Sequence, residues 1–236
     1  MSLLSTIQQV CLRVGLSSPS SVAGNTDNNI TRLLAIANEE GQELSARYAW
    51  QALKNVATFT TVATTSQGSL STICGTDFRY IINETFWNRT QRRPVFGPLT
   101  DAQWEQLTAQ QINGPWNQYR IIGNQIWFIP IPQAGQTCAF EWISKNWCQN
   151  AAGTTTYSAW NADTDTGRIS EDLMTFGIVW RWKQMNGFDY AEDFNKYERL
   201  VEDAIAQDGG KPILNLNASW PDVYPSILVP SGNWIT

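Results

Sequence analysis

Residues 178–194, IVWRWKQMNGFDYAEDF, join two segments of helical spacing through Gly187. Ser170 is a suitable N-cap for the first segment, and two acidic residues follow it where they oppose the helix dipole. We therefore expect a helix from about 170 to 186, ended by Gly187. A second helix is predicted over about 189–206, because apolar residues recur there every three or four positions, at Tyr190, Phe194, Tyr197, Val201 and Ile205.

Two more helices are predicted at the start of the chain. The first covers about residues 2–14, with an apolar stripe that includes Cys11, and Gly15 ends it. The second covers about 27–49, with Thr26 or Asp27 as its N-cap. Its stripe consists of Leu33, Ala37, Gly41, Leu44 and Tyr48.

The middle of the chain has the pattern of β-structure. VATFTTVATT, from residue 56, alternates and is rich in β-branched residues. Gly123 and Asn124 separate two β runs, which predicts a two-residue hairpin because both residues tolerate a positive φ. A short helix capped by Thr100 interrupts the strands over 98–111. The other strand candidates are 78–83, 118–122, 125–129 and 138–144.

Together these segments predict an α+β fold: a four-helix bundle formed by residues 1–54 and 160–208, with an inserted, mostly β module at 55–159. Residues 209–236 are expected to form an extended C-terminal arm, because four prolines exclude a helix or a central strand. The arm has few charges and many apolar residues, so it either docks on a neighbour or partner or packs on its own domain. Its candidate docking residues are Trp220, Tyr224, Ile227, Leu228 and Trp234.

Composition narrows the function. The chain has 236 residues, a net charge of −5 and no basic run, which argues against a protein that wraps nucleic acid. The locally basic NRTQRRP, 88–94, indicates an exposed loop or a contact with an acidic partner. Twelve tryptophans with only 16% charged residues are typical either of surface buried by partners or of an aromatic core. No stretch approaches the roughly 18 apolar residues of a membrane span, so we expect no membrane contact.

The usual motifs of catalysis and metal binding are missing from the sequence. There is no histidine, the four cysteines are far apart, and no cofactor or metal site is expected. Asp163 and Asp165 are interpreted as turn residues, because the further ligand positions of a calcium loop are lacking. Glu84 and Glu141 could join them in a hydrolytic carboxylate pair, but nothing in the spacing selects a pair, so an enzyme is not predicted.

The opening segment offers candidates for contacts between subunits. Trp180 and Trp182 point about 200° apart on a helix, so we expect them to contact different neighbours. Arg181 lies between them in the sequence and is a candidate to contact the acidic face of the last helix in an adjacent copy. The 189–206 helix carries −4 of the net charge. Its residues Asp189, Glu192 and Asp193, together with Arg181 and Trp182, are candidates for contacts between subunits.

An ordered set of segments resembles the adaptor proteins of tailed bacteriophages, also called head-to-tail connectors. LLAIANEEGQELSARYAWQALKNVATFTT (33–61) is similar to their second helix and first strand, and INETFWNRTQRRPVFGPLTDAQWEQL (82–107) has their Arg-Pro and Gly-Pro-Leu run. YRIIGNQIWFIPIPQAGQTCAFEWISKNW (119–147) resembles their hairpin. DTDTGRISEDLMTFGIVWRWKQMNGFDYAEDFNKYERLVEDA (163–204) resembles their last helix pair, so the resemblance covers roughly residues 3–210.

The resemblance implies a structural virion protein, made in the host cytoplasm and placed in the neck between capsid and tail. Such proteins form a ring, usually a dodecamer, beneath the portal protein; they extend the DNA channel and present a docking surface to tail or nozzle proteins. DNA passes without sequence-specific binding, and the C-terminal arm reaches onto the portal. With a channel implied, the five candidate inter-subunit residues are also candidates to line it. The main alternative is a carbohydrate- or receptor-binding tail module, which predicts exposed, coplanar aromatic rings on the β module. A hydrolase with a carboxylate pair is a third reading.

Overall fold

The computed structural model describes residues 2–110, 114 and 116–209, and this part of the chain is an α+β protein. The predicted arm falls outside the described residues except for Gly209, and so do Trp220, Tyr224, Ile227, Leu228 and Trp234. The α-helices are α1 (Leu3–Val14), α2 (Asn28–Arg47), α3 (Leu70–Cys74), α4 (Asp101–Gln110), α5 (Glu171–Met185) and α6 (Ala191–Gln207).

The strands form three antiparallel sheets. They are β1 (Lys54–Thr60), β2 (Ser66–Ser69), β3 (Phe78–Ile81), β4 (Trp87–Asn88), β5 (Arg93–Pro94), β6 (Gln118–Ile122), β7 (Gln125–Ile129), β8 (Thr137–Ser144), β9 (Cys148–Gln149), β10 (Thr156–Tyr157) and β11 (Thr166–Gly167). The largest sheet has the order β1-β8-β4-β5, with β3 also paired to β8. The second has the order β2-β7-β6, and the third has the order β10-β9-β11.

Local signals in the sequence explain most element ends. Gly15 ends α1 with φ +75°, and the side chain of Asp27 caps α2 by accepting a hydrogen bond from the Asn29 N–H. Gly123 and Asn124 have φ of +55° and +61°, and they close the β6–β7 hairpin. Each of these predictions is confirmed. Ser170 stands at the N-cap of α5 as predicted, although its side chain makes no capping hydrogen bond.

The predicted four-helix bundle is wrong. In a bundle each helix buries one stripe against two neighbours, whereas here α1, α2 and α6 all pack against α5. Helix α5 is accordingly buried on all sides, and the continuous run from Gly177 to Trp182 is buried. Trp180 and Trp182, which point in opposite directions on α5, are both buried, as a central helix requires.

The β part of the chain also completes the core around α5, which is a second reason why the helices do not form a bundle. Trp147, between β8 and β9, is fully buried in the same hydrophobic cluster as the four long helices. Gly41 of α2 makes room for it, because a Cβ there would overlap the indole ring. The start of α1 is fixed to the third sheet, since the Leu3 N–H donates to the Asp165 carbonyl at 2.8 Å.

A second hydrophobic cluster lies between the two larger sheets. Phe86 is its centre: its ring lies 4.8 Å from that of Tyr119 and 4.9 Å from that of Phe140, measured between centroids. Such tilted aromatic contacts hold the sheets together by burial of large apolar surfaces. The division of the chain at residues 54/55 and 159/160 into separate domains stays a prediction. None of the described helices is long and apolar enough to cross a membrane.

Candidate functional site

A buried ionic cluster joins α2, α5 and α6. Arg181 donates from Nε to Glu40 Oε2 at 2.8 Å and from Nη2 to Glu43 Oε2 at 2.5 Å. A third, more exposed acid, Glu39, accepts from Nη1 at 3.2 Å. The Tyr197 hydroxyl donates to the other oxygen of Glu40 at 2.5 Å. Both oxygens of a fully buried carboxylate are therefore used within the chain.

The electrostatics of this cluster follow from its burial. Burial raises the pKa of Glu40, and the hydrogen bonds from Tyr197 and Arg181 oppose that rise. Burial and the adjacent Glu40 carboxylate also raise the pKa of the Tyr197 hydroxyl. Gly177 makes the close approach possible, because a Cβ at that position would overlap the Glu40 carboxylate. The arrangement is a cross-link between three helices.

Two of the residues predicted to contact another subunit lie inside the described fold. Arg181 is 9% exposed and Trp182 is 5% exposed. Trp180 is also buried, and its ring meets that of Phe194 edge-on at 5.1 Å. Arg181 thus already has acidic partners in its own chain. Contacts of Arg181 or Trp182 with another subunit stay predictions.

The turn between α5 and α6 exposes large apolar side chains, and we call residues 185–193 the helical tip. Met185 is 64% exposed, Phe188 62% and Tyr190 36%. Asp189 is exposed beside them and accepts a hydrogen bond from the Ala191 N–H at 3.2 Å. Glu192, also on the tip, lies in the first turn of α6, where the positive end of the helix dipole stabilises a carboxylate. The tip therefore combines an apolar surface with negative charge.

The acidic residues of α6 divide into paired and solvent-exposed groups. Asp193 forms an ion pair with Lys183 of α5, and Glu198 accepts two hydrogen bonds from Arg47 of α2 at 2.8 and 3.0 Å. The second group, which is exposed, consists of Glu192, Glu202 and Asp203. Sequence periodicity placed all of these on the outer face, but only the tertiary fold separates those already neutralised by α2 and α5.

A groove of about 390 Å³ crosses the outer face of the largest sheet. We call it the sheet groove; its lining includes Val56, Thr85, Trp87, Arg89, Arg92 and Glu141. Strand pairing forms it, because Val56 on β1 is opposite Glu141 on β8, and Trp87 on β4 is opposite Ala139 on β8. Val56 is 60% exposed, so the floor presents apolar surface to solvent.

The basic side of the sheet groove comes from the loop between β4 and β5. Arg89 and Arg92 are exposed, and Arg92 has φ +56°, a left-handed conformation that places a tight turn there. The sequence indicated this basic loop as an exposed segment or a contact with an acidic partner. It did not indicate that Val56, more than thirty residues earlier, would lie beside it, because that requires the register of β1 on β8.

The alternative readings find little support in the described residues. Asp163 accepts hydrogen bonds from the Val22 and Ala23 N–H groups, and Asp165 accepts from Asn161 and Ala162, so both carboxylates organise backbone as the sequence predicted. In the described ranges no acidic or cysteine cluster is arranged to hold a metal.

Among the described residues of the β part, the exposed Trp116 is the test of the sugar-stacking alternative. The half-exposed Trp116 meets Phe96 at an interplanar angle of 69°, so the two rings are not coplanar. Stacking on a sugar ring requires an open aromatic face, which favours coplanar rings in a row. This pair therefore does not favour the carbohydrate-binding alternative.

Comparison with known proteins gives one family. A family model described as SU10 adaptor protein matches residues 1–216, which is most of the chain and includes both the helical core and the sheets. A search of curated proteins gives no match.

Proposed function

The chain belongs to the SU10 adaptor protein family, and from this we propose that it forms a ring beneath the portal of a tailed bacteriophage. It is a phage structural adaptor protein. The ring, a dodecamer as the resemblance to phage adaptor proteins implies, would extend the DNA channel. It would occupy the neck of the virion and join the capsid to tail or nozzle proteins. The family match over residues 1–216 carries this proposal.

The surface of the described part supports a protein with several partners. The helical tip and the sheet groove both present apolar side chains to solvent, with Phe188 62% and Val56 60% exposed. Exposed apolar surface of this kind is typical of interaction sites. The two surfaces belong to different elements, so one subunit has room for more than one contact.

Passage of DNA through the ring is consistent with the charge of α6. DNA would bind to a basic channel, because Lys and Arg side chains displace its counterions. Exposed carboxylates such as Glu202 and Asp203 would instead repel the phosphates. We propose that part of the acidic face of α6 lines the channel or meets a basic face of a neighbour. A ring with all these carboxylates on its outer rim would contradict the channel version.

The C-terminal arm, 209–236, is proposed to contact the portal through its apolar residues. This part of the proposal rests on composition, since only Lys211 and Asp222 are charged in the arm. Large aromatic side chains such as Trp220 and Trp234 are the residue type that most often dominates binding energy at protein interfaces.

The experiment compares portal binding by the wild type and by a Trp220→Ala/Trp234→Ala variant. We expect the variant to fold with an unchanged thermal midpoint and to bind the portal protein of the same phage at least about tenfold more weakly. Trp116→Ala, a half-exposed tryptophan within the described fold, is the matched control. A variant that loses thermal stability but still binds the portal would show that the arm belongs to the core.

A further inference from the structure

We propose that the helical tip of one copy docks into the sheet groove of the next copy around the ring. This inference rests on the proposed function, because it names the contact that would close that ring. It places the acidic N-terminal turn of α6 at a subunit interface and names the surface of the neighbouring copy that binds it. The two surfaces are complementary in shape, polarity and charge.

The apolar parts of the two surfaces match. The tip is a convex turn that presents Met185 and Phe188, both more than 60% exposed. The sheet groove is concave, and exposed Val56 and half-buried Trp87 form apolar parts of its lining. Burying such side chains against each other contributes about 25 cal/mol for each Å² of apolar surface removed from water. Left uncovered, both surfaces would remain hydrated at a cost in free energy.

The charges of the two surfaces are opposite. Within the described ranges no basic side chain pairs with Asp189 or Glu192 on the tip, while Asp193 is held by Lys183. On the groove, Arg89 and Arg92 likewise have no acidic partner in the part of the chain that the structure describes. Glu141 also lines the groove and leaves one net positive charge there. Complementary potentials of this kind fix orientation and register at an interface.

The tip is at the end of α6 far from β1, the strand that contributes Val56 to the groove. The far end of α6 lies beside the start of β1, because Asp208 accepts a hydrogen bond from the Gln51 N–H at 2.7 Å. Helix α6 has 17 residues, so the tip begins about 25 Å from that junction. This separation favours a second copy as the source of the tip that occupies the groove. A contact between two different patches is heterologous, and repeated contacts of this type form a ring when the rotation between successive copies closes.

Charge reversal tests the pairing. The groove variant is Arg89→Glu/Arg92→Glu, the tip variant is Asp189→Arg/Glu192→Arg, and a swap variant carries all four changes. Each is the full chain, examined by native mass spectrometry and negative-stain microscopy alone and with the portal protein of the same phage. We expect both single-surface variants to lower ring yield by about tenfold or more, because each places like charges opposite each other.

The swap variant and the mixture of the two single-surface variants should both restore ring formation. In the mixture, wild-type tips meet wild-type grooves at one contact, and reversed tips meet reversed grooves at the next. Glu105→Arg, which reverses an exposed acidic residue on α4 away from both surfaces, is the matched control and should leave ring yield unchanged. Rescue by swap and mixture excludes misfolding as the cause of the loss.

Two results would overturn the inference, and they are distinguishable. If wild-type copies form the ring and both single-surface variants form it equally well, the tip–groove contact is wrong and the adaptor ring stands. If reversal abolishes rings and neither swap nor mixture restores them, the two surfaces do not bind each other. Failure of the wild type to form any ring, alone or with the portal, would overturn the proposed function itself.

Discussion

Replacing Arg181 by methionine is the most informative perturbation of the helical core. Methionine keeps much of the length and apolar volume of the side chain but removes the donors to Glu40 and Glu43. Glu40 is fully buried, so after the substitution its carboxylate retains only the hydroxyl of Tyr197. A buried carboxylate with one neutral donor must remain charged at high cost or take up a proton.

The expected loss follows from that unpaired charge. Removing one partner of a buried ion pair lowers the free energy of unfolding by about 3–5 kcal/mol. In a Glu40→Gln background no fully buried carboxylate is left unpaired, so the same Arg181→Met change should cost less. The difference between the two backgrounds, the coupling energy, is expected at about 1–3 kcal/mol.

Urea unfolding at pH 7, followed by tryptophan fluorescence, measures these quantities. Glu39→Gln is the matched control: it contacts the same guanidinium but is 65% exposed, so we expect a change below about 1 kcal/mol. The loss in Arg181→Met should also shrink as the pH falls, because Glu40 then takes up a proton. Two results would refute the idea that the Glu40–Arg181 pair holds α2 against α5. One is a loss of unfolding free energy in Arg181→Met that is smaller than the loss in Glu39→Gln. The other is a coupling energy near zero.

Three further substitutions test the packing of α5, the β6–β7 turn and the burial of a cysteine thiol. Gly177→Ala should lower the free energy of unfolding by about 1–3 kcal/mol, since its Cβ would overlap the Glu40 carboxylate; unchanged urea midpoints would contradict this packing. Gly123→Val should cost about 1–2 kcal/mol because φ is +55° in the β6–β7 hairpin, and an unaffected variant would show that the turn has another conformation. Burial raises the pKa of the Cys138 thiol to about 12 from 9.0, so above pH 9 only the unfolded chain loses this proton. Between about pH 9 and 12 the free energy of unfolding should then fall by up to about 1.4 kcal/mol per pH unit. Cys138→Ala should flatten that part of the curve, and equal slopes in the two proteins would contradict the burial of this thiol.

Local structure was well predicted from the sequence because its signals are local. Caps, glycines with positive φ and the period of the apolar residues depend on neighbours in the chain, as at Gly15, Asp27 and the 123–124 turn. The predicted arrangement of the helices was wrong, because that arrangement depends on residues that are distant in the sequence. A buried Trp147 from the β part and a carboxylate at Glu40 inside α2 decide how the helices meet, and neither has a periodic signature.

The candidate surfaces were only partly predictable for the same reason. The acidic face of α6 and the basic loop at 88–94 are visible as composition. The sequence does not show which of these acidic residues remain unpaired, because their partners Lys183 and Arg47 come from other helices. The sheet groove is invisible in the sequence, since the pairing of β1 and β4 with β8 brings its residues together.

Electron microscopy of the purified protein mixed with the portal protein of the same phage tests whether the chain is a ring-forming adaptor. We expect a second ring stacked coaxially beneath the portal, whose copy number can be counted in end-on views. A mixture in which no complex forms, together with failure of the protein to join tailless capsids, would contradict it.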